Sequence, residues 1–144
     1  MDNKREVAVL LPYKIEGSVV RVFLQKRGME SKVLPGHFSF FGGKLEKGEK
    51  PEEALRREIK EELDFTIKEH SFLGTYTSAV DVLVVLHVYI TKVSSDFENT
   101  IEIHEGEYGK FFSEEEIMNE PMLIESDKNI LKDFRKIVVQ RHGK

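Results

Sequence analysis

The chain reads as an α/β protein built on one mixed β-sheet, and three stretches carry that reading. Val82 to Val93 is dense in Val, Leu, Tyr and Ile, the pattern of a strand buried inside such a sheet. In the segment that follows Pro51, Leu55, Ile59 and Leu63 recur at helical spacing and form one apolar seam. Near the end of the chain Ile130, Leu131, Phe134, Ile137 and Val138 form another, placed to pack a last helix on the sheet.

The elements follow in order. Glu6 to Pro12 is a short apolar run, Glu16-Gly17-Ser18 carries turn residues, and Val19 to Gln25 is apolar again, which predicts a β-hairpin. Lys26, Arg27 and Gly28 leave its second strand. Met29 to Gly36 is a loop closed by Pro35-Gly36, and Phe38, Phe40 and Phe41 lead into Gly42-Gly43, read as a turn. Pro51 suits a first helical position, where its missing N–H costs nothing, and Glu52 and Glu53 favour the positive end of the helix dipole. Lys50 is an inferior cap and predicts a frayed start. Phe65 to Ile67 and Ser71 to Thr77 read as strands, Ser94 to Thr100 as a polar loop, Gly109 to Ser113 as a short strand and Glu114 to Asn119 as a short helix. Ser126 is placed to cap the final helix, whose basic end, Lys132 to Lys144, complements a helix C-terminus.

No repeat, low-complexity tract or interdomain linker is evident, and residues 1–144 are read as a single domain. The 40% hydrophobic content, with ten Phe, supplies a core. A net charge of -4 argues against polymeric nucleic acid as the main partner, since that requires a basic face. Without cysteine there are neither disulfides nor thiolate metal sites. No signal-peptide succession is evident and the run Val82 to Ile90 is too short to span a bilayer, so no membrane partner and a cytoplasmic location are expected.

The chemistry concentrates in residues 43–65, GKLEKGEKPEEALRREIKEELDF. At about 100° per residue, Glu58, Glu61 and Glu62 fall in one arc bordering the apolar seam. Like charges one turn apart destabilise an isolated helix by roughly 0.2–0.5 kcal/mol per pair, so something outside the helix should neutralise them. A hard divalent cation such as Mg²⁺ fits, because it takes oxygen ligands and bridges to substrate phosphates. An ordinary charged surface helix would mix signs opposite the core, whereas this acidic stripe adjoins it.

The segment resembles the Nudix box, G-x5-E-x7-R-E-U-x-E-E-x-G-U with U a bulky aliphatic. Gly43, Glu49, Arg57, Glu58, Ile59, Glu61 and Glu62 fall on its defining positions. Asp64 stands where the pattern has its last glycine, and the closing residue is the aromatic Phe65. Such a glycine supplies a left-handed helix exit, which Asp also visits at some cost, so a slightly strained exit is expected with no metal ligand lost. The resemblance implies a Nudix-type α/β/α sandwich, with helices on both faces of the mixed sheet.

It also implies a site. Glu58, Glu61 and Glu62 would ligate Mg²⁺, or Mn²⁺ in its place, with the Gly43 carbonyl as a further ligand. Arg57 would hold a box glutamate, for which the i,i+4 pair with Glu61 is the candidate and a plain surface ion pair the competing reading. Glu49 would orient the loop or close a contact with the box. Family members recruit another glutamate from a later loop as base or ligand; Glu105 is the first choice and Glu107 the second, against a solvated acidic turn. His87, inside an apolar strand, reads as a satisfied buried imidazole and not as a catalyst.

For substrate, Lys44, Lys26 and Arg27 would meet phosphates, with Lys44 best placed beside the glycines. Phe38, Phe40 and Phe41 offer aromatic surface for a base, although Phe before a turn is more often core. Ser39 and Asp127 are candidate base readers. Residues 41–44, FGGK, resemble the corresponding stretch of triphosphatases that clear oxidised purine nucleotides, and the downstream proline of many ADP-ribose hydrolases is not evident. The expectation is therefore Mg²⁺-dependent hydrolysis of a nucleoside triphosphate to monophosphate and pyrophosphate. A nucleotide-sugar or dinucleoside polyphosphate hydrolase is the alternative enzyme. A nucleotide-sensing module without turnover is the non-catalytic alternative, disfavoured because such modules typically lose box glutamates.

Overall fold

The computed structural model describes residues 4–78, 83–104 and 106–142. Its first strand, β1 (Arg5–Glu16), is buried on both faces, with Ala8 and Leu10 in one core and Val9 and Leu11 in the other. Alternation of side chains along a strand makes this possible only where both faces of the sheet are covered. β1 pairs antiparallel with β2 (Val19–Lys26) through the predicted hairpin and parallel with β6 (Val84–Lys92), so the sheet is mixed. β5 (Ser71–Thr77) forms the edge beyond β6, and β7 (Tyr108–Phe112) pairs with β2.

β1 and β2 part beyond the Tyr13–Val22 pair, and a wedge fills the gap. β3 (Phe38–Ser39) pairs with β2 at Gln25 and Lys26, while β4 (Phe41–Lys44) pairs with β1 from Val7 to Leu10. Phe40 lies between the two short strands, and the Gln25 side-chain amide donates to its carbonyl at 2.9 Å, satisfying an acceptor that no ladder reaches. The glycines expected as a turn are thus strand residues. Gly42 needs to be glycine because its φ is +145° and a Cβ would strike the β1 backbone, 2.7 Å from the Cα of Val9.

α1 (Pro51–Leu63) covers the face of Ala8, Leu10, Phe23 and Phe41, burying Ala54, Leu55, Ile59 and Leu63. Its start is not frayed. Pro51 opens it, and the Glu53 carboxylate accepts from the Lys50 amide at 2.8 Å, the reciprocal half of a capping box that needs nothing from the Lys50 side chain. α3 (Glu125–His142) covers the opposite face with Ile130, Leu131, Phe134 and Val138, and α2 (Glu114–Asn119) lies beside it. The result is the expected α/β/α arrangement. No helix among the described residues is long and apolar enough to cross a membrane.

Two further expectations for the elements change. Phe65 to Ile67 is an extended connector and not a strand, because the Ile67 carbonyl accepts from Arg56 at 2.8 Å and the side chains of Phe65 and Ile67 are spent in the α1 core. Ser126 does not cap α3. The first helical bonds run from the Asp127 and Lys128 amides to the Ile124 carbonyl, and Ser126 Oγ is buried inside the first turn without a hydrogen-bond partner. The long central strand begins at Val84, and the expected Val82 start lies outside the described residues.

Candidate functional site

β4 carries Gly42 and Gly43 across the face of α1, and this contact brings the box residues together. The Gly42 amide donates to Glu62 Oε1 at 3.1 Å, holding a carboxylate whose residue is only 5% exposed. A Cβ on Gly43 would lie 2.5 Å from Glu58 Oε2 and 2.7 Å from Oε1, so the Gly43 backbone and the Glu58 carboxylate share a space that any side chain would fill. Glu61, one turn before the helix end, is 63% exposed at its side chain.

Arg57 ties this cluster to the preceding loop. Its Nε and Nη2 donate to the two oxygens of Glu49 at 2.9 and 2.8 Å, its Nη1 to Glu58 Oε1 at 2.9 Å, and its Nη2 also to the Lys44 carbonyl at 3.1 Å. The Glu61 carboxylate is 3.9 Å away, outside hydrogen-bond reach. The i,i+4 partner suggested by periodicity is therefore the weakest of the set, and the fork–fork pair with Glu49 is the strongest. The hydrogen bonds from Arg57 and from the Glu46 amide hold the Glu49 carboxyl down at about 2, and the Arg57 guanidinium is raised above its ordinary value chiefly by Glu49.

The C-terminal end of α1 is closed from the other side. Orphan carbonyls of its last turn are met by the loop before β7, with the His104 amide donating to the Glu62 carbonyl at 2.8 Å and the Glu102 amide to the Leu63 carbonyl at 3.0 Å. Asp64 takes the left-handed conformation expected of it, φ 51° and ψ 38°, and Lys60 pairs with its carboxylate at 2.9 Å, which lowers its pKa.

The acidic group suits a hard cation in donor type, all carboxylate and carbonyl oxygen, and in the backbone cradle at Gly43. Among the described residues no three acidic or imidazole side chains already converge as a cage, because Glu58 is turned to Arg57 and Glu61 to solvent. Glu105 lies outside the described residues. Glu107 is exposed, its amide bonded to the Lys26 carbonyl.

The expected substrate residues are dispersed. Lys44 is exposed and lines an open hollow with Lys4, Arg5 and Lys47. Arg27 is engaged by its own loop, donating to the Val33 carbonyl at 2.7 Å and to Ser31 Oγ at 2.9 Å. Phe41 belongs to the α1 core, stacked on Phe23 at 5.5 Å, whereas Phe38 and Phe40 belong to the α3 core. Lys26 lies over the Phe38 ring at 4.8 Å, and the exposed Tyr108, which the sequence reading did not single out, meets its edge at 6.2 Å. Ser39 Oγ is buried without a partner. Asp127 is 8% exposed at the start of α3, and burial pushes its carboxyl up to about 6. His87 is satisfied as expected, though only half-buried: Nε2 meets Glu6 at 2.7 Å and Nδ1 meets Thr75 Oγ1 at 3.3 Å.

An "ADP-ribose pyrophosphatase" of Bacillus subtilis (strain 168) is 29% identical over 113 residues, 74% of this chain and 59% of that protein. An "8-oxo-dGTP diphosphatase" of Proteus vulgaris is 41% identical over 54 residues, 38% of this chain and 47% of that protein. The chain thus spans less than two thirds of the length of either relative. Among solved structures, a MutT protein from Methanosarcina mazei Go1 superposes with a TM-score of 0.75 at 20% identity, over 99% of this chain and 98% of that one. The NUDIX domain of Shewanella oneidensis NrtR, complexed with ADP ribose, superposes with a TM-score of 0.76 at 14% identity, over 96% and 90%. The model of the NUDIX domain matches residues 2–134, nearly the whole chain, and the chain therefore belongs to the NUDIX domain family.

Proposed function

We propose that the chain is a divalent-metal-dependent hydrolase of a nucleoside diphosphate linked to another group, with a nucleoside triphosphate, cleaved to monophosphate and pyrophosphate, as its substrate. The observation that carries this reading is the seating of Gly42 and Gly43 against the carboxylates of Glu62 and Glu58. That contact holds two acidic groups beside the glycine backbone on one helix, which supports metal-assisted phosphoanhydride cleavage.

Glu58, Glu61, Glu62 and the Gly43 carbonyl would hold the ion, Mg²⁺ or Mn²⁺, which when bound neutralises phosphate charge and lowers the pKa of a water. The chain's own groups do the positioning. Arg57 fixes Glu58, the Gly42 amide fixes Glu62, and Glu49 fixes Arg57, so few rotamers remain to be ordered when a nucleotide arrives. Water adds to phosphorus, the anhydride P–O bond breaks, and the water's proton leaves toward a carboxylate, for which Glu105 is proposed, with Glu107 as the alternative. Lys44, exposed beside the glycines, and Arg27 would meet the phosphate chain. The unpartnered Ser39 hydroxyl would serve the base side, whereas the Phe38 ring, buried in the α3 core, offers no face on which a base could stack.

A second reading has support of its own. The ADP-ribose pyrophosphatase relative matches over more of this chain than the diphosphatase does, and the NrtR domain was solved with ADP ribose, so a nucleotide linked to a sugar phosphate is the competing substrate. The test is a panel of nucleoside triphosphates, ADP-ribose and dinucleoside polyphosphates with Mg²⁺, products identified by mass spectrometry after reaction in ¹⁸O-water. Monophosphate plus pyrophosphate from a triphosphate supports the first reading. Turnover confined to ADP-ribose transfers the assignment to the second, and no turnover of any member with either metal overturns both.

A further inference from the structure

A second cavity lies on the far side of the sheet from α1, and nothing in the proposed hydrolysis uses it. It occupies about 320 Å³ between β2, α2 and α3. Val20, Val22, Ile117, Leu131 and Phe134 form an apolar floor, and Met118, 61% exposed, stands at the lip. A recess of this size, apolar below with a few polar groups at its mouth, is the usual form of a small-molecule site.

The mouth is charged in an ordered way. Lys128, Lys132 and Arg135 follow one another on α3 at i, i+4 and i+7, which places all three on one stripe of the helix facing α2. The outer two are committed. Lys128 Nζ donates to the Met118 carbonyl at 3.2 Å, and Arg135 Nε pairs with Glu114 at 2.5 Å, so each bridges α3 to α2 at one end of the opening. Lys132, between these bridges, has no hydrogen bond or ion pair among the described residues. One uncompensated cation is thereby centred over an apolar recess. Glu125 also lines the mouth, which disfavours a polyanion such as a nucleotide phosphate chain.

From this pairing of charge and shape we infer that the α2–α3 cavity binds a small amphipathic monoanion, its apolar body on Val22, Leu131 and Phe134 and its carboxylate or sulfonate on Lys132. The site is separate from the acidic face of α1 and does not depend on the substrate assigned there.

The probe is 1-anilinonaphthalene-8-sulfonate titrated into the full chain, followed by competition with octanoate and, separately, with ADP-ribose plus Mg²⁺. Saturable fluorescence with one probe per chain, displaced by octanoate but not by ADP-ribose, is expected. Loss of one charge-assisted contact corresponds to about a tenfold or greater weakening, expected for Lys132→Glu and largely avoided in Lys132→Arg. Lys132 is exposed, so both variants should fold, which circular dichroism checks. Methyl chemical-shift changes at Val20, Val22 and Leu131 would place the ligand. Unsaturable fluorescence, displacement by ADP-ribose, or wild-type affinity in folded Lys132→Glu overturns the assignment.

Discussion

Arg57 and Glu49, eight residues apart, meet in a bidentate pair at 2.8 and 2.9 Å, and the same guanidinium holds Glu58 at 2.9 Å. A lysine cannot reproduce that fork. Arg57→Lys is therefore expected to lower kcat by roughly tenfold to a hundredfold while leaving the fold intact. Glu49→Gln should act in the same direction, and the double variant should fall short of the product of the two losses, because both remove one unit. Steady-state kinetics on the three proteins checks this, and strict additivity would separate Glu49 from Arg57.

Glu61→Gln and Glu62→Gln are each expected to cut turnover by at least about a hundredfold with little change in circular dichroism. The Glu62 change is the more informative. Its Gln oxygen can still accept from the Gly42 amide, so fold is preserved while a negative charge is lost. Near-normal rates in both folded variants would remove α1 from the chemistry.

The two glycines of β4 should respond differently to alanine. Gly42→Ala drives a Cβ into the β1 backbone at a φ that L-residues avoid, and is expected to destabilise by more than about 3 kcal/mol. Gly43→Ala meets only the Glu58 carboxylate, a side chain that can swing aside. Its cost should appear mainly as lost activity. Denaturant melts paired with kinetics distinguish the two.

Asp64→Gly is expected to raise the melting temperature with little change in rate. A left-handed Asp is strained where glycine is not, while the exposed Lys60–Asp64 pair is screened by solvent and offsets little of that strain. Relief of strain is the larger effect. A drop in melting temperature would show the ion pair to be the stronger.

Burial of Asp127 makes stability depend on pH. Its carboxyl titrates at about 6 in the folded chain, against about 4 when unfolded, so the folded state binds the extra proton between those values. The stability associated with it is complete below about pH 4 and lost as pH rises through 6, on the order of 2–3 kcal/mol in all. Asp127→Asn should flatten that slope and raise stability at pH 7. Urea melts from pH 4 to 7.5 on both proteins make the comparison.

Much of this was legible from local pattern. Leu55, Ile59 and Leu63 announce α1, Val82 to Val93 announces the central strand, and the fixed spacing of the glutamates announces the acidic face. What escaped were relationships set by the third dimension. Arg57 finds Glu49 because the 45–50 loop folds back, and Glu49 precedes the first residue of α1, where helical periodicity says nothing about its position. Gly42 and Gly43 look like a turn until β1 and β2 part and leave a slot for a short strand. Ser126 has the right chemistry for a cap but sits after the first helical bonds have closed, and Phe38 and Phe41, three residues apart in a strand-like stretch, were grouped although they enter opposite cores.

The segment from Gly28 to Gly36 has a closed neck. The Arg27 amide donates to the His37 carbonyl at 2.8 Å, the Gly36 amide reaches the Gly28 carbonyl at 3.2 Å, and the Arg27 guanidinium grips the loop from within. Since its two ends meet before the wedge strands begin, the length and composition of what hangs from that neck can change without moving β3 or β4. A longer or differently charged loop can thus be carried at this position, leaving the carboxylates of α1 where they stand.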